Sequence, residues 1–226
     1  MISLQKICRI YQVGGQTIHA LDHVDLDISQ GEFVAIMGRS GSGKSTLLNM
    51  LGCMDRPDAG SYLLEDRVVS SMDDDSLSRV RNRLMGFIFQ SFHLLPRKSA
   101  LENVLLPRLY HEDGLREVDH ERALELLRQV ELGDRVYHKP NELSGGQRQR
   151  IAIARALINT PKVILADEPT GNLDSKTSTA IMRLLQDLNR GGQTLVMVTH
   201  EADVADFASR RIDMQDGKIS AQHGQA

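Results

Sequence analysis

The sequence predicts an α/β protein: a parallel sheet with crossover helices, an antiparallel β-subdomain at its N-terminal end, and a helical block inserted between two strands. Three observations carry that expectation. Nearly continuous apolar runs recur at "EFVAIMG", "RLMGFIFQ", "KVILADE" and "TLVMVTH", as strands covered on both faces require. Helical patterns separate several of them, at Lys44 to Leu51, Ser175 to Asn189 and Glu201 to Phe207, and that alternation calls for a parallel sheet with crossovers. From about Ser91 to Ile158 only helical patterns appear.

Taken in order, "ISLQKICRI" and "IHALDHVDLDI" alternate apolar and polar residues, the period of half-buried antiparallel strands. "SMDDDSLSRV" reads as an acidic helix start, favoured by the helix dipole. "SALENVLLPRLY", "VDHERALELLRQV" and "GGQRQRIAIARALI" are the helices of the inserted block, residues 91–158. Gln90 and "NTPKV" mark its boundaries, so residues 1–90 and 159–226 form the core and β-subdomain.

Bulk properties narrow the function classes. A chain of 226 residues, 41% hydrophobic and 25% charged, suits one soluble domain with an insertion. A net charge of -3 and a pI of 6.2 argue against a nucleic-acid partner. Two cysteines, Cys8 and Cys53, cannot supply a four-ligand metal site or a disulfide framework and read as buried, reduced thiols. The N-terminus "MISLQKICRIYQ" is not a secretory signal. Runs such as "TLVMV" fall far short of the ~20 residues of a membrane helix, so any membrane role comes through a partner.

The chemistry concentrates in a few motifs. "GRSGSGKS" supplies Gly38, Arg39, Ser40, Gly41, Ser42, Gly43, Lys44 and Ser45, with Thr46 next in the helix that follows. It fits G-x-x-x-x-G-K-[ST] after a buried strand and before a helix. Its backbone N–H groups can curl around phosphate oxygens, helped by the helix N-terminus. Lys44 is then expected to reach the β- and γ-phosphates of ATP, and Ser45 to ligate Mg²⁺. At the end of a second buried strand, "VILADEP" offers Asp167 for the Mg²⁺ shell and Glu168 as general base for the attacking water. Pro169 is expected to hold Glu168 extended. Three further polar or aromatic residues sit past strands: Gln90 for the metal or the water, His200 for the γ-phosphate, and Tyr11 as a stacking face for adenine.

A second glycine-rich helix start, "NELSGGQRQRIAIARAL", lacks a lysine. Ser144-Gly145-Gly146-Gln147 fits a capping box, yet the missing side chains at 145 and 146 also leave helix N–H groups open to an anion.

Together these features resemble the ATP-binding subunit of an ABC transporter, over essentially the whole chain. The motifs are "GRSGSGKS", Gln90, the signature "LSGGQ", "VILADE", "NLD" at Asn172 to Asp174, and "TH" ending at His200. The resemblance implies a RecA-like P-loop core and a head-to-tail homodimer induced by ATP. In it the signature of each subunit caps the nucleotide on the other's phosphate loop, and Asn172 and Asp174 cross the interface. "GCMDRPDAG", "MDDDSLSRVRNRLMGFIFQSFHLLPRKSALENVLLP" and "ADEPTGNLDSKTS" resemble the ATPases of lipoprotein-release and macrolide-exporter systems. That subgroup implies peripheral attachment on the cytoplasmic side of the cell membrane, through a permease docked around Phe92 to Pro107. A mechanical regulator paired with a permease-like protein that controls cell-wall hydrolysis shares the same motifs. A soluble relative acting on DNA or ribosomes would be expected to show a second ATPase, a long coiled coil or zinc cysteines.

Overall fold

The computed structural model describes residues 1–224. The chain opens as an antiparallel hairpin, β1 (Ile2–Val13) and β2 (Gln16–Ile28), turned at Gly14 and Gly15 with φ of 58° and 81°. β3 (Phe33–Gly38) is buried from Phe33 to Met37 and runs through the glycine loop into α1 (Lys44–Leu51). β4 (Ala59–Leu64) and β5 (Arg67–Val68) return to the hairpin, giving an N-terminal sheet ordered β2-β1-β4-β5. α2 (Asp74–Leu84) starts as the acidic run demands: the Asp73 carboxylate accepts the Ser76 N–H at 2.7 Å, and Asp74 and Asp75 fill the first turn.

β6 (Met85–Phe89) follows at once. Before β7 (Val163–Asp167) come α3 (Ala100–Leu105), a 3₁₀ turn over Leu106–Tyr110, α4 (Glu117–Gln129) and α5 (Gly145–Leu157). The pattern "SALENVLLPRLY" is thus two pieces rather than one helix, because Pro107 has no N–H to continue it. α6 (Ser175–Arg190), β8 (Thr194–Val198), α7 (Ala202–Ala205), β9 (Arg210–Gln215) and β10 (Lys218–Gly224) complete the described chain. The second sheet runs β10-β9-β3-β8-β7-β6, with β10 antiparallel and the rest parallel.

Alternation along β3 shows why its sequence has no polar face. Phe33, Ala35 and Met37 pack toward α5 and α6, with Ile151, Ile164 and Leu185. Val34 and Ile36 pack toward α1 and the N-terminal sheet, with Leu47, Leu51 and Leu4. Each fully buried aliphatic side chain of this kind contributes roughly 1.5–3 kcal/mol. The α/β class therefore matches the one expected from the apolar runs.

Several expectations need correction. β4, β5, β9 and β10 were not anticipated: β9 reads "RRIDMQ" and β10 exposes much of its length, so neither shows an apolar run. α7 is a single turn within the stretch expected to be helical from Glu201 to Phe207. Tyr11 lies inside β1, not beyond it. The alternation of the hairpin is also broken, by bulges where Lys6 and His23 take φ of 49° and 52°.

α5 approaches β6 closely enough that a Cβ on Gly86 would stand 2.5 Å from the Ala156 carbonyl oxygen. Backbone is the obstacle, so it cannot rotate away. Gly86→Val is expected to cost roughly 1–3 kcal/mol or more, lowering the unfolding temperature by several degrees, with Gly86→Ala intermediate. Thermal denaturation of the three proteins checks the order.

Candidate nucleotide site

The turn from β3 into α1 is built around glycine. Gly43 caps the helix at φ 101°, and a Cβ there would sit 2.4 Å from the Ala20 carbonyl oxygen. No other residue fits that position without moving β2. The buried Lys44 follows, its Nζ donating to the carbonyls of Gly38 at 2.8 Å and Arg39 at 2.9 Å. Gly38, Arg39, Ser40, Gly41, Gly43, Lys44, Ser45 and Thr46 line one wall of a cavity of about 790 Å³. Tyr11, Ile18, His19 and Ala20 from the hairpin line another, and Glu168, Val198, His200 and Asp216 complete it. Ser42 does not line it; its Oγ is buried with no hydrogen-bond partner.

Glu168 departs from expectation. Its φ is 44°, a left-handed conformation, not an extended one. Its N–H donates to the Val198 carbonyl at 2.9 Å, and its own carbonyl accepts the Gly171 N–H at 3.1 Å. That second bond closes a turn with Pro169 at its second position, where the proline ring is favoured. Glu168, at the first position of that turn, thus lies outside the extended preference of a residue before proline. A left-handed non-glycine residue costs on the order of 1–3 kcal/mol, which these bonds offset. The Glu168 carboxylate meets His200, Nδ1 to Oε1 at 2.8 Å, so the histidine is paired with the glutamate.

Asp167, the last residue of β7, is half-buried. Burial raises its pKa, and the Glu168 charge adds to the rise while Lys44 opposes it. Two adjacent carboxylates, one of them half-buried, form a site where a divalent cation would relieve both the burial and the mutual repulsion. Gln90 lies against the same turn: a Cβ on Gly171 would be 2.6 Å from its Nε2. The Gln90 carbonyl accepts from Asn172 Nδ2 at 3.0 Å, while Asp174 caps α6 by accepting the Thr177 N–H at 3.0 Å.

The second helix start stands apart from this cavity, since none of Ser144, Gly145, Gly146 and Gln147 lines it. The capping box forms: Gln147 N–H donates to Ser144 Oγ at 3.3 Å and Ser144 N–H to Gln147 Oε1 at 2.9 Å. The glycines meet α6 and the loop before it, where added Cβ atoms would lie 2.5 Å from Thr177 and 3.1 Å from Leu173. Sequence reasoning missed Gln149, fully buried on α5, whose Nε2 donates to the Pro169 carbonyl at 2.7 Å. It also missed Arg155, which donates to the carbonyls of Phe92 and His93 at 2.8 Å and 2.6 Å. Polar residues on a helix face otherwise filled by Ile151, Ala152 and Ala156 were the available signal.

This arrangement defines a P-loop ATPase with an inserted helical block. The sequence profile of the ABC transporter family matches residues 21–171, and the chain belongs to that family, as the ATP-hydrolysing subunit of a transporter. It is 54% identical over 219 residues to the uncharacterized ABC transporter ATP-binding protein YknY of Bacillus subtilis, covering 97% of this chain and 95% of that one. It is 53% identical to the macrolide export ATP-binding/permease protein MacB of Chlorobaculum tepidum, but spans only 33% of that longer protein. A dimeric structure of the MJ0796 cassette in a post-hydrolysis state, bound to ADP and Pi, is similar at a TM-score of 0.90 and 47% identity. It covers 99% of this chain and 98% of that one.

The raised Asp167 pKa fixes the sign of a pH effect. The folded chain binds this proton more tightly than the unfolded chain, so stability falls as pH rises between the unfolded value, 3.8, and the raised folded one. Below both values the penalty is absent; above both it is complete. Asp167→Asn is expected to raise the unfolding temperature of the nucleotide-free protein at about pH 7, with the gap closing toward about pH 4. A gap constant across that range would contradict the burial of the charge.

Proposed function

We propose that this subunit powers a membrane exporter of the lipoprotein-release or macrolide-export type, through two copies that close on ATP. The observation that carries the reading is the separation of the two glycine-rich helix starts, one lining the cavity and the other outside it. A phosphate-binding helix start with no lysine and no place in its own chain's cavity is best used on a neighbour's nucleotide. The dimeric MJ0796 cassette, bound to ADP and Pi, supports that use.

Within each site, the loop N–H groups and Lys44 offset the charge of the β- and γ-phosphates. Lys44 exchanges its bonds to Gly38 and Arg39 for phosphate oxygens. Glu168 takes the proton of the attacking water, and His200 keeps its carboxylate oriented. Tyr11 stacks on adenine. Ser45, Gln90 and Asp167 are the residues to hold Mg²⁺, which when bound supplies a counter-charge for the phosphates. The signature residues Ser144, Gly145, Gly146 and Gln147 approach the γ-phosphate from the second copy.

A glutamine in place of the base should trap ATP and with it the closed pair. Glu168→Gln protein is expected to be a monomer alone and with ADP, a dimer with ATP, and slowed at least ~100-fold in turnover. Size-exclusion chromatography with light scattering decides: equal dimer with ADP and ATP would remove the γ-phosphate from the interface.

Among the described residues no helix is long and apolar enough to cross a membrane. We place the subunit at the cytoplasmic face, docked on a permease beside the Gln90 boundary; the MacB relative's name combines ATP-binding and permease. Within the stretch from Phe92 to Pro107, Val104 and Leu105 of "NVLLP" are 0% and 5% exposed and belong to the core of the helical block, so they are not docking contacts. Leu95, Leu109 and Tyr110 are exposed instead, and a cavity of about 420 Å³ opens beside Tyr110 between Phe87, Leu106 and Pro107.

Arg97 is exposed next to this region. Arg97→Glu is expected to weaken permease association by about tenfold while basal ATPase activity stays near wild type. Co-purification with the membrane subunit, set beside the ATPase rate, measures both. Parallel loss would make the segment structural.

A further inference from the structure

Tyr11 does not stand alone at the base end of the cavity. Two positions earlier on β1, on the same face of the strand, Arg9 lays its guanidinium carbon 4.7 Å from the Tyr11 ring centroid, within cation–π range. Arg9 Nε donates to Asp55 Oδ2 at 2.8 Å and its NH1 to Asp58 Oδ1 at 3.0 Å. The Tyr11 hydroxyl donates to the same Asp55 Oδ2 at 2.7 Å. Asp58 returns to the strand, accepting the Ile10 N–H at 2.6 Å and donating its own N–H to the Cys8 carbonyl at 2.9 Å. The ring is therefore held at its hydroxyl, backed by a cation, and shared with the cavity it lines.

The origin of the two aspartates gives this cluster a purpose. They lie in the segment that leaves α1, which ends at Leu51 with Gly52 as its cap. The N-terminus of α1 is the phosphate end of the cavity. Eight helical residues span roughly 12 Å, so one short rigid element connects the phosphate loop to the anchor of the stacking ring.

We propose that Arg9, Asp55 and Asp58 form a clamp that presets Tyr11 for the nucleotide base, registering the base platform to the phosphate loop through α1. Arg9 and Asp55 are positioning residues: they act on nucleotide only through the tyrosine. Holding the ring in place before binding removes an ordering cost that a free side chain would incur. The clamp predicts a loss in affinity with little change in maximal rate, because the γ-phosphate and Glu168 are at the other end of the nucleotide. Stacking accepts any base with a π-face, so the loss should be similar for ADP and GDP.

The inference rests on the reading of Tyr11 as the adenine platform, and a double-mutant cycle separates the two. ADP affinity is measured by calorimetry, and KM and kcat by ATP hydrolysis, for the intact chain, Tyr11→Ala, Arg9→Gln, Asp55→Asn and Tyr11→Ala with Arg9→Gln. Tyr11→Ala is expected to weaken ADP about tenfold. Arg9→Gln and Asp55→Asn should each weaken it roughly threefold, raise KM to match, and leave kcat within about twofold. In the Tyr11→Ala background, Arg9→Gln should add nothing. If Tyr11→Ala leaves ADP affinity unchanged, the platform reading itself fails. If Tyr11→Ala weakens ADP but Arg9→Gln and Asp55→Asn do not, the clamp alone fails. Full additivity, or a fall in kcat as large as the rise in KM, makes Arg9 a fold-supporting residue and also overturns the clamp. Tyr11→Phe, which keeps the ring and the cation and removes only the anchored hydroxyl, decides the matter should the charged variants not fold: wild-type affinity would overturn the Asp55 anchor.

Discussion

Glu168 holds a left-handed backbone between the last residue of β7 and a proline, and much of the site depends on that turn being kept. Its N–H is tied to β8 through Val198, and its carbonyl to Gly171. The following carbonyl, of Pro169, receives the buried Gln149 amide from α5. Gly171 packs on the Gln90 side chain, and Asn172 bonds the Gln90 backbone. Strand, signature helix and the boundary of the helical block are thus fastened within five consecutive residues. The carboxylate that His200 holds therefore stands on a segment fastened to all three.

How far this was legible varies with the physics of each part. The phosphate loop could be read because its glycines answer to backbone requirements that no other residue meets, Gly43 at φ 101° being the sharpest. β3, β7 and β8 could be read because burial on both faces leaves no room for polar residues. β9 could not: Ile212 and Met214 point to the core while Arg211, Asp213 and Gln215 alternate with them in a short strand flanked by a turn. The left-handed Glu168 was invisible because the bond that ties its N–H to Val198 on β8 is tertiary. Gln149, Arg155, Arg9 and Asp55 escaped for a related reason. Each is an ordinary polar residue whose importance lies in a partner 20 to 63 positions away.

The helical block shows why an apolar stretch is a poor guide to a docking surface. "NVLLP" and "HLLP" look alike as sequence, yet Val104 and Leu105 are core while Leu95 is 41% exposed. The difference comes from Asn103, fully buried, whose side-chain amide donates to the carbonyls of Leu95, Lys98 and Ser99 and whose carbonyl oxygen accepts the Leu95 N–H. One polar residue therefore folds the preceding loop back over the start of α3 and turns Leu95 outward. Arg155 does the same for the residues before it, holding the left-handed Phe92 and His93 by their carbonyls.

The signature glycines answer to two demands at once, and separating them matters for the proposed closure. Packing alone favours Gly146, because a Cβ would stand 2.5 Å from the Thr177 methyl, and Thr177 is held in place by its hydroxyl bond to Asp174 at 2.6 Å. Its presence therefore does not by itself argue for an anion. The capping box is more informative. Ser144 Oγ takes the N–H of Gln147, and the Gln147 amide takes the N–H of Ser144. That leaves the N–H groups of Gly145 and Gly146, the first two of α5, which have no carbonyl within the helix to bind. Both point out of the same helix end that carries the positive end of the dipole. In the proposed closure, a γ-phosphate presented by a second copy would satisfy donors that the chain's own cap leaves over, and ADP, lacking that group, would not. On this reading the weakness of a lysine-free grip is what makes it useful: it rewards closure only on a triphosphate already held by the other loop, and releases once that phosphate is gone.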